Sequence, residues 1–292
     1  MRSFAVSSPA KLNLFLRVLG KRRDGYHEIV TLFHRVSLCD TLRLEKRKQG
    51  IHLLCSHPRV PIKDNLMVRA FHLLKAERPF KGGVTCRLTK RIPVAGGLGG
   101  GSSNAATFLL GVNRLYQLRL SLPQLEKLGR KLGADIPFFL RGSTQAIGLG
   151  RGDQIKTLPF KGRLWFLLFP SRRGLSTAKV YAGLGLSKSP LRRSALTRVT
   201  HDAKMRSTFL SSGKLVQADE LLINDLTKSA ERIRPCLGTM REKLNHRHLG
   251  MCHMSGSGPT LFMVFPSRDK ARRALREIKR KFGTQPILCH SF

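Results

Sequence analysis

The chain has 292 residues, 41% of them hydrophobic, which suffices for ordinary cores and about two domains of typical size. Lys and Arg number 54 against 17 Asp and Glu, a formal net charge of +37 that raises the question of a nucleic-acid or anionic-membrane partner. The longest unbroken apolar stretch, LWFLLF at 164–169, is far too short to span a bilayer, and no internal repeat or low-complexity tract appears, so neither a membrane span nor a long disordered region is expected.

In chain order, Leu12, Leu14, Leu16 and Val18 alternate with Lys11, Asn13, Phe15 and Arg17, which predicts a strand with Lys11 and Asn13 on one face. Further strands are expected near 29–38, 41–46 and 84–92. A helix is predicted over DNLMVRAFHLLKA (64–76), capped by Asp64. Another fits SLPQLEKLGRKLG, with Ser121 as cap, Pro123 in the first turn and Gly133 as its stop. An N-terminal lobe closing near 150–160 divides the chain into 1–155 and 156–292. Beyond it, RLWFLLFP reads as a strand, 183–207 as a loop-rich connection, and 214–223 and 225–244 as helices. MCHMSGSGPTLFMVF reads as strand, glycine turn, strand, and a basic amphipathic helix over 268–283 precedes PILCHSF. The pattern is that of an α+β protein with two lobes.

Residues 93–103, PVAGGLGGGSS, open directly into the apolar helix NAATFLLGVNRLY. Missing Cβ atoms let backbone amides converge on phosphate oxygens, and the helix start adds unsatisfied N–H groups and the positive end of its dipole. Ser102 or Ser103 is a suitable N-cap, and the serine hydroxyls offer ligands for Mg²⁺. No lysine follows the glycines, as a Walker A loop requires, and Ser102 occupies the third glycine position of a Rossmann fingerprint. Neither H-R-D nor D-F-G occurs, which excludes the protein-kinase set.

Three separated segments, PAKLNLFLRVLGKRRDGYHEI (9–29), PVAGGLGGGSSNAA (93–106) and MSGSGPTLF (254–262), together resemble the GHMP kinase superfamily. The pairing of PAKLNL…DGYH with the lengthened GLGGGSSNAA loop is similar to the branch that acts on a cytidine diphosphate derivative. Homoserine, mevalonate and galactose kinases usually carry a shorter loop and lack DGYH. The resemblance implies a two-lobed GHMP kinase fold with the active site in the cleft between lobes, ATP and Mg²⁺ as cofactors, and a small-molecule acceptor. It assigns catalysis to Lys11 and to Asp135 of GADIPFF, the aspartate accepting or orienting the hydroxyl proton and the lysine holding it ionised. It assigns ATP binding to Asn65, Leu66, Lys90 and the loop Pro93, Val94, Ala95, Gly96, Gly97, Leu98, Gly99, Gly100, Gly101, Ser102 and Ser103. It assigns the acceptor to Asn13, Tyr26, His27, Thr177, Tyr181, Gly256 and Gly258, with Tyr26 and Tyr181 sandwiching the base. Because the first motif begins by Pro9, no leader is expected, and the protein is expected to be cytoplasmic.

Six scattered cysteines (39, 55, 86, 236, 252 and 289) form no C-x-x-C or zinc-ligand spacing, so reduced thiols and no bound structural metal are expected. Segment 268–283 has eight Lys or Arg among sixteen positions. Ala271, Ala274, Leu275, Ile278 and Phe282 fall at helical spacing, so it reads as a packed helix with a solvated basic face and not as a nucleic-acid element. Two alternatives stand beside the main reading: another small-molecule kinase of the same superfamily, and a basic nucleic-acid-binding protein on a related fold. The last predicts binding that falls steeply with salt and survives Asp135→Asn.

Overall fold

The computed structural model describes residues 3–171, 173–186, 193–212, 221–245 and 250–292. They fall into two compact units that interleave along the sequence: residues 1–10, 38–94 and 99–143 form one, and 11–37, 95–98 and 144–292 the other. Two long strands contribute to both units. These are β1 (Ser3–Lys21) and β2 (His27–Arg47), which pair with each other. The separate strands expected at 29–38 and 41–46 are thus one uninterrupted strand, since nothing between them breaks the extended backbone.

In the first unit, β3 (Ile51–Cys55) runs parallel to β4 (Gly83–Thr89), and β4 pairs antiparallel with Thr41–Arg47 of β2. Four helices accompany this sheet: α1 (Leu66–Glu77), α2 (Gly100–Leu115), α3 (Leu122–Leu132) and α4 (Ile136–Arg141). Helix α2 is central, with Ala105, Ala106, Phe108, Leu109 and Val112 all at 0% exposure, an apolar stripe at helical spacing. Ser121 and Gln124 form a capping box on α3, Pro123 lies in its first turn and Gly133 is its C-cap, as expected. The cap of α1 is Asn65 instead of Asp64: Asn65 Oδ1 accepts the Met67 amide at 3.0 Å.

In the second unit, Thr31–His34 of β2 pairs with β5 (Gln145–Leu149), which pairs with β6 (Gln154–Leu158). A separate antiparallel sheet has the order β10-β7-β9-β8, from β7 (Trp165–Phe169), β8 (His253–Met254), β9 (Leu261–Phe265) and β10 (Ile287–His290). Its helices are α5 (Thr177–Ala182), α6 (Arg193–Ser211), α7 (Thr227–Ile233), α8 (Pro235–Leu244) and α9 (Arg268–Phe282). The loop-rich reading of 183–207 is corrected by α6, whose Ala203, Ser207 and Leu210 are buried. Few apolar residues mark its inner face, so periodicity did not reveal it. The single helix expected over 225–244 is two, because Pro235 forces Arg234 out of helical backbone, to φ −138° and ψ 88°. The helix expected at 214–223 lies largely outside the described residues. At its end the Ile223 carbonyl accepts the Leu16 amide of β1 at 2.7 Å, outside any helix.

Helix α9 buries Ala271, Ala274 and Ile278 in a core with Leu167, Met263 and Phe265, and exposes Arg272, Arg273, Arg276, Lys279, Arg280 and Lys281. Its apolar stripe packs as the sequence periodicity predicts. No helix among the described residues is long and apolar enough to cross a membrane.

His34 sits wholly inside the second unit. Gln145 Nε2 donates to its Nδ1 at 3.3 Å, and its Nε2 donates to Ser291 Oγ at 2.9 Å, so both nitrogens are engaged by the neutral ring. Burial pushes its pKa down to about 3. The unfolded chain, with an ordinary imidazole, therefore binds more protons between about pH 3 and 6.5. The contribution of this site to stability is complete above that range and is lost as pH falls through it. The unfolding temperature is expected to drop progressively below pH 6.5, with a flatter profile in His34→Gln; identical profiles would remove His34 from the acid response.

Candidate active site

Within the second unit, strand β1 presents Lys11 and Asn13 on one face, as alternation requires. Both are buried, and Lys11 Nζ donates to Asn13 Oδ1 at 2.7 Å. Asn13 Nδ2 donates to Thr31 Oγ1 at 2.8 Å, whose hydroxyl donates to the Phe15 carbonyl at 2.8 Å. Asn13 is therefore a fixed relay, and the lysine ammonium is held with low rotational freedom.

Two glycine segments meet beside this pair. The Lys11 amide donates to the Leu98 carbonyl at 3.0 Å, and the Thr260 amide to Gly96 at 3.3 Å. Ser255 is fully buried; its Oγ accepts the Asn13 amide at 3.2 Å and donates to the Gly97 carbonyl at 3.3 Å. Gly97 has φ +74°, and a Cβ there would lie 2.6 Å from the Gly258 carbonyl oxygen. Gly256 has φ +57°, and its Cβ would lie 2.9 Å from Asn13 Oδ1 and 3.5 Å from Lys11 Nζ. Both conformations favour glycine, and a side chain at Gly256 would fill the space beside the lysine. Asn224 supports this turn from behind, its Nδ2 donating to the carbonyls of Met254 and Gly256, each at 2.8 Å. Neither Ser255 nor Asn224 carries a signal of its own in the sequence: Ser255 is one small residue among several in the third motif, and Asn224 in LLINDL has no local pattern.

In the same unit, the His27 and Tyr181 rings lie 4.9 Å apart, tilted by 31°. Burial, followed by the charge of Lys21, holds the His27 pKa below the ordinary imidazole value, which favours the neutral ring at neutral pH. Tyr26 is 56% exposed with the Arg151 guanidinium 4.8 Å from its ring centre. The ring found against Tyr181 is thus His27. Ser176 Oγ caps α5, and Thr177 Oγ1 lies 2.8 Å from Ser257 Oγ, so α5 delivers both Thr177 and Tyr181.

In the first unit, the glycine loop becomes helix α2 earlier than the sequence suggested. Gly99, at φ +68°, is the N-cap, and the first bond runs from the Ser103 amide to the Gly99 carbonyl at 2.8 Å. Ser102 and Ser103 therefore stand inside the first turn and neither caps it, because glycine reaches the left-handed region without a side-chain cap. Ser103 Oγ is committed to Ser8 Oγ at 2.8 Å. Leu66 approaches the loop, its Cδ1 3.9 Å from where a Gly101 Cβ would stand. Lys90 Nζ, 3.3 Å from the corresponding point of Gly100, is paired with Asp40. Asp135, half-buried at the N-cap of α4, makes no capping hydrogen bond to that helix. Gly133, two residues earlier, abuts Ser102, with Oγ 3.9 Å from the Cβ position. Among the described residues no cluster of three or more His, Cys, Asp or Glu side chains is arranged to hold a metal ion.

A glycine loop feeding a helix, with a second glycine turn locked against it beside a buried lysine, defines a class of phosphotransferase fold. Residues 65–143 match the GHMP kinases N terminal domain and residues 206–284 the GHMP kinases C terminal domain. The chain is 38% identical over 288 residues to 4-diphosphocytidyl-2-C-methyl-D-erythritol kinase of Syntrophus aciditrophicus (strain SB), covering 97% of each. It is 38% identical over 270 residues to that of Marinobacter nauticus (strain ATCC 700491 / DSM 11845 / VT8), covering 91% of this chain and 86% of the relative. A crystal structure of 4-(cytidine 5'-diphospho)-2C-methyl-D-erythritol kinase matches with TM-score 0.78 at 32% identity over 98% of both chains. A homoserine kinase from Cytophaga hutchinsonii ATCC 33406 shares the fold at TM-score 0.68 and 16% identity. This chain therefore belongs to the GHMP kinases, and within them to the 4-diphosphocytidyl-2-C-methyl-D-erythritol kinase family.

Proposed function

We propose that this protein transfers the γ-phosphoryl group of ATP to the 2-hydroxyl of 4-diphosphocytidyl-2-C-methyl-D-erythritol, in the cytoplasm, as a step of the non-mevalonate route to isoprenoid precursors. The observation that carries the reading is the locked pair of glycine segments beside Lys11, together with full-length identity to kinases of that name.

Phosphoryl transfer asks the protein for positioning and for charge that offsets the equatorial oxygens. The amides of Ala95–Gly99 and the first turn of α2 receive the phosphates, and Lys90 and Leu66 flank them. Asn65 takes part at the start of α1. Mg²⁺ would be carried chiefly by nucleotide oxygens, with the Ser102 hydroxyl within the first turn of α2 as a protein ligand. Its contribution when bound is to neutralise phosphate charge. Asp135 accepts or orients the proton of the acceptor hydroxyl. Lys11, held by Asn13, supplies the fixed cation. We assign nucleotide binding mainly to residues 1–155, and we assign no role to nucleic acid.

On the acceptor side, neutral His27 offers hydrogen bonds to a cytosine edge, Tyr26 and Tyr181 offer aromatic faces, and Thr177 and the 256–258 turn approach the diphosphate. Stacking of a base on an aromatic ring is worth about 1–3 kcal/mol. Tyr181→Ala is accordingly expected to raise KM for the cytidine substrate roughly five- to hundredfold while KM for ATP stays within about twofold. An unchanged acceptor KM would remove Tyr181 from the site.

The direct test follows ADP release and the phosphorus NMR spectrum on incubation with Mg-ATP and the cytidine substrate. A new phosphomonoester is expected. ATP binding without that product would overturn the acceptor assignment, and salt-sensitive polynucleotide binding without ATP binding would favour the basic-surface alternative.

A further inference from the structure

Asp40, in the second half of β2, is at 0% exposure and stands outside every role assigned above. Its carboxylate receives four donors within the first unit. Oδ1 accepts the backbone amides of Arg91 at 2.7 Å and Ile92 at 2.9 Å; Oδ2 accepts Lys90 Nζ and, at 2.9 Å, Asn104 Nδ2. Asn104 Nδ2 also donates to Ser8 Oγ at 2.9 Å, and Ser8 holds Ser103. Arg91 and Ile92 lead into the glycine loop, and Ser103 and Asn104 follow it in α2. One buried carboxylate therefore fastens both ends of the loop and the lysine beside its last glycines.

A buried ion pair contributes little net stability unless its geometry is good and its remaining lone pairs are satisfied. Here every oxygen is satisfied, and the donors are not scattered through the core but bracket a single loop. Glycine-rich backbone has the most conformational freedom to lose, so a loop of this composition gains most from having its span set by its anchors. A lysine with its ammonium pinned by a carboxylate is also a donor in one place, in contrast to a mobile surface charge.

We propose that Asp40 is a positioning residue for nucleotide binding, acting chiefly through Lys90 and only secondarily through the span it imposes on the loop. The proposal rests on the reading that this loop holds ATP. The test compares the unaltered protein with Asp40→Asn, Lys90→Met and the double variant, by Mg-ATP titration calorimetry, steady-state kinetics and thermal unfolding. Asp40→Asn is expected to raise KM for Mg-ATP at least tenfold and leave KM for the cytidine substrate within twofold. In the Lys90→Met background the same substitution should add less than threefold. Effects that multiply independently in the double variant, or a folded Asp40→Asn that binds Mg-ATP as the unaltered protein does, would overturn the proposal alone. Failure of the unaltered protein to bind Mg-ATP would remove the nucleotide reading and the proposal with it. If Asp40→Asn does not fold, Asn104→Ala is decisive instead: a three- to tenfold rise in KM for Mg-ATP supports the role, and an unchanged value refutes it.

Discussion

Asp135→Asn is expected to lower kcat by about 10²–10⁴-fold, the usual worth of a positioned proton acceptor, while KM for ATP moves no more than a few-fold. The substitution keeps the shape of the side chain and removes its charge. Asp135 makes no capping bond to α4, so the helix start does not depend on the carboxylate. Gly133, two residues before Asp135, lies in ordinary contact with Ser102 of α2, whose Oγ is 3.9 Å from the Gly133 Cβ position. The unfolding temperature, measured alongside, separates a chemical role from a structural one. A near-normal kcat would withdraw the assignment. Taking the proton requires the carboxylate, and steering the hydroxyl is weakened when an amide oxygen replaces it.

Gly97→Ala is the second large effect. Its φ of +74° costs an L-residue about 1–2 kcal/mol before any contact is counted. The added methyl would lie 2.6 Å from the Gly258 carbonyl oxygen and 2.7 Å from that of Ser255, both backbone atoms with no rotamer to escape into. The segments 95–98 and 255–258 must then separate, and the Ser255–Gly97 and Lys11–Leu98 hydrogen bonds must lengthen with them. Displacements near 1 Å at reacting groups cost about 10²-fold, so kcat/KM is expected to fall at least that far. Gly283→Ala is the matched control: φ is +63° there, but no atom lies within 4 Å of the added methyl. It should lose stability alone. Equal activities for the two variants would show that the Gly97 contact does not set the loop.

The elements that the sequence disclosed were those with strong local signals. Helix α3 carries its cap, its proline and its glycine stop within thirteen residues, and each acts locally, so composition sufficed. Helix α9 was legible from its apolar stripe at helical spacing. Helix α6 was not, because Thr, Ser and Arg dilute its buried face and periodicity has little contrast to report. The break at Pro235 shows the opposite case: the signal is present in the sequence, since a proline restricts the residue before it to non-helical backbone.

Two glycine segments and the pairing of Lys11 with Asn13 on one strand face were legible from the residues themselves, whereas Asp135 and the DGYH element stood out only through the family resemblance. The sequence determined the family as well, since three motifs in order are improbable by chance. Which groups meet is set by tertiary packing. Ser255 joins Asn13 to Gly97 across 242 and 158 residues, and Asp40 joins both ends of the glycine loop across about fifty and sixty-four. The same packing also set His27 against Tyr181 and moved the start of α2 to Gly99. The physical reason is that a hydrogen bond or ring contact between distant residues leaves no periodic trace in either segment. Local propensities are written residue by residue, whereas partners are chosen by the packing that brings them together.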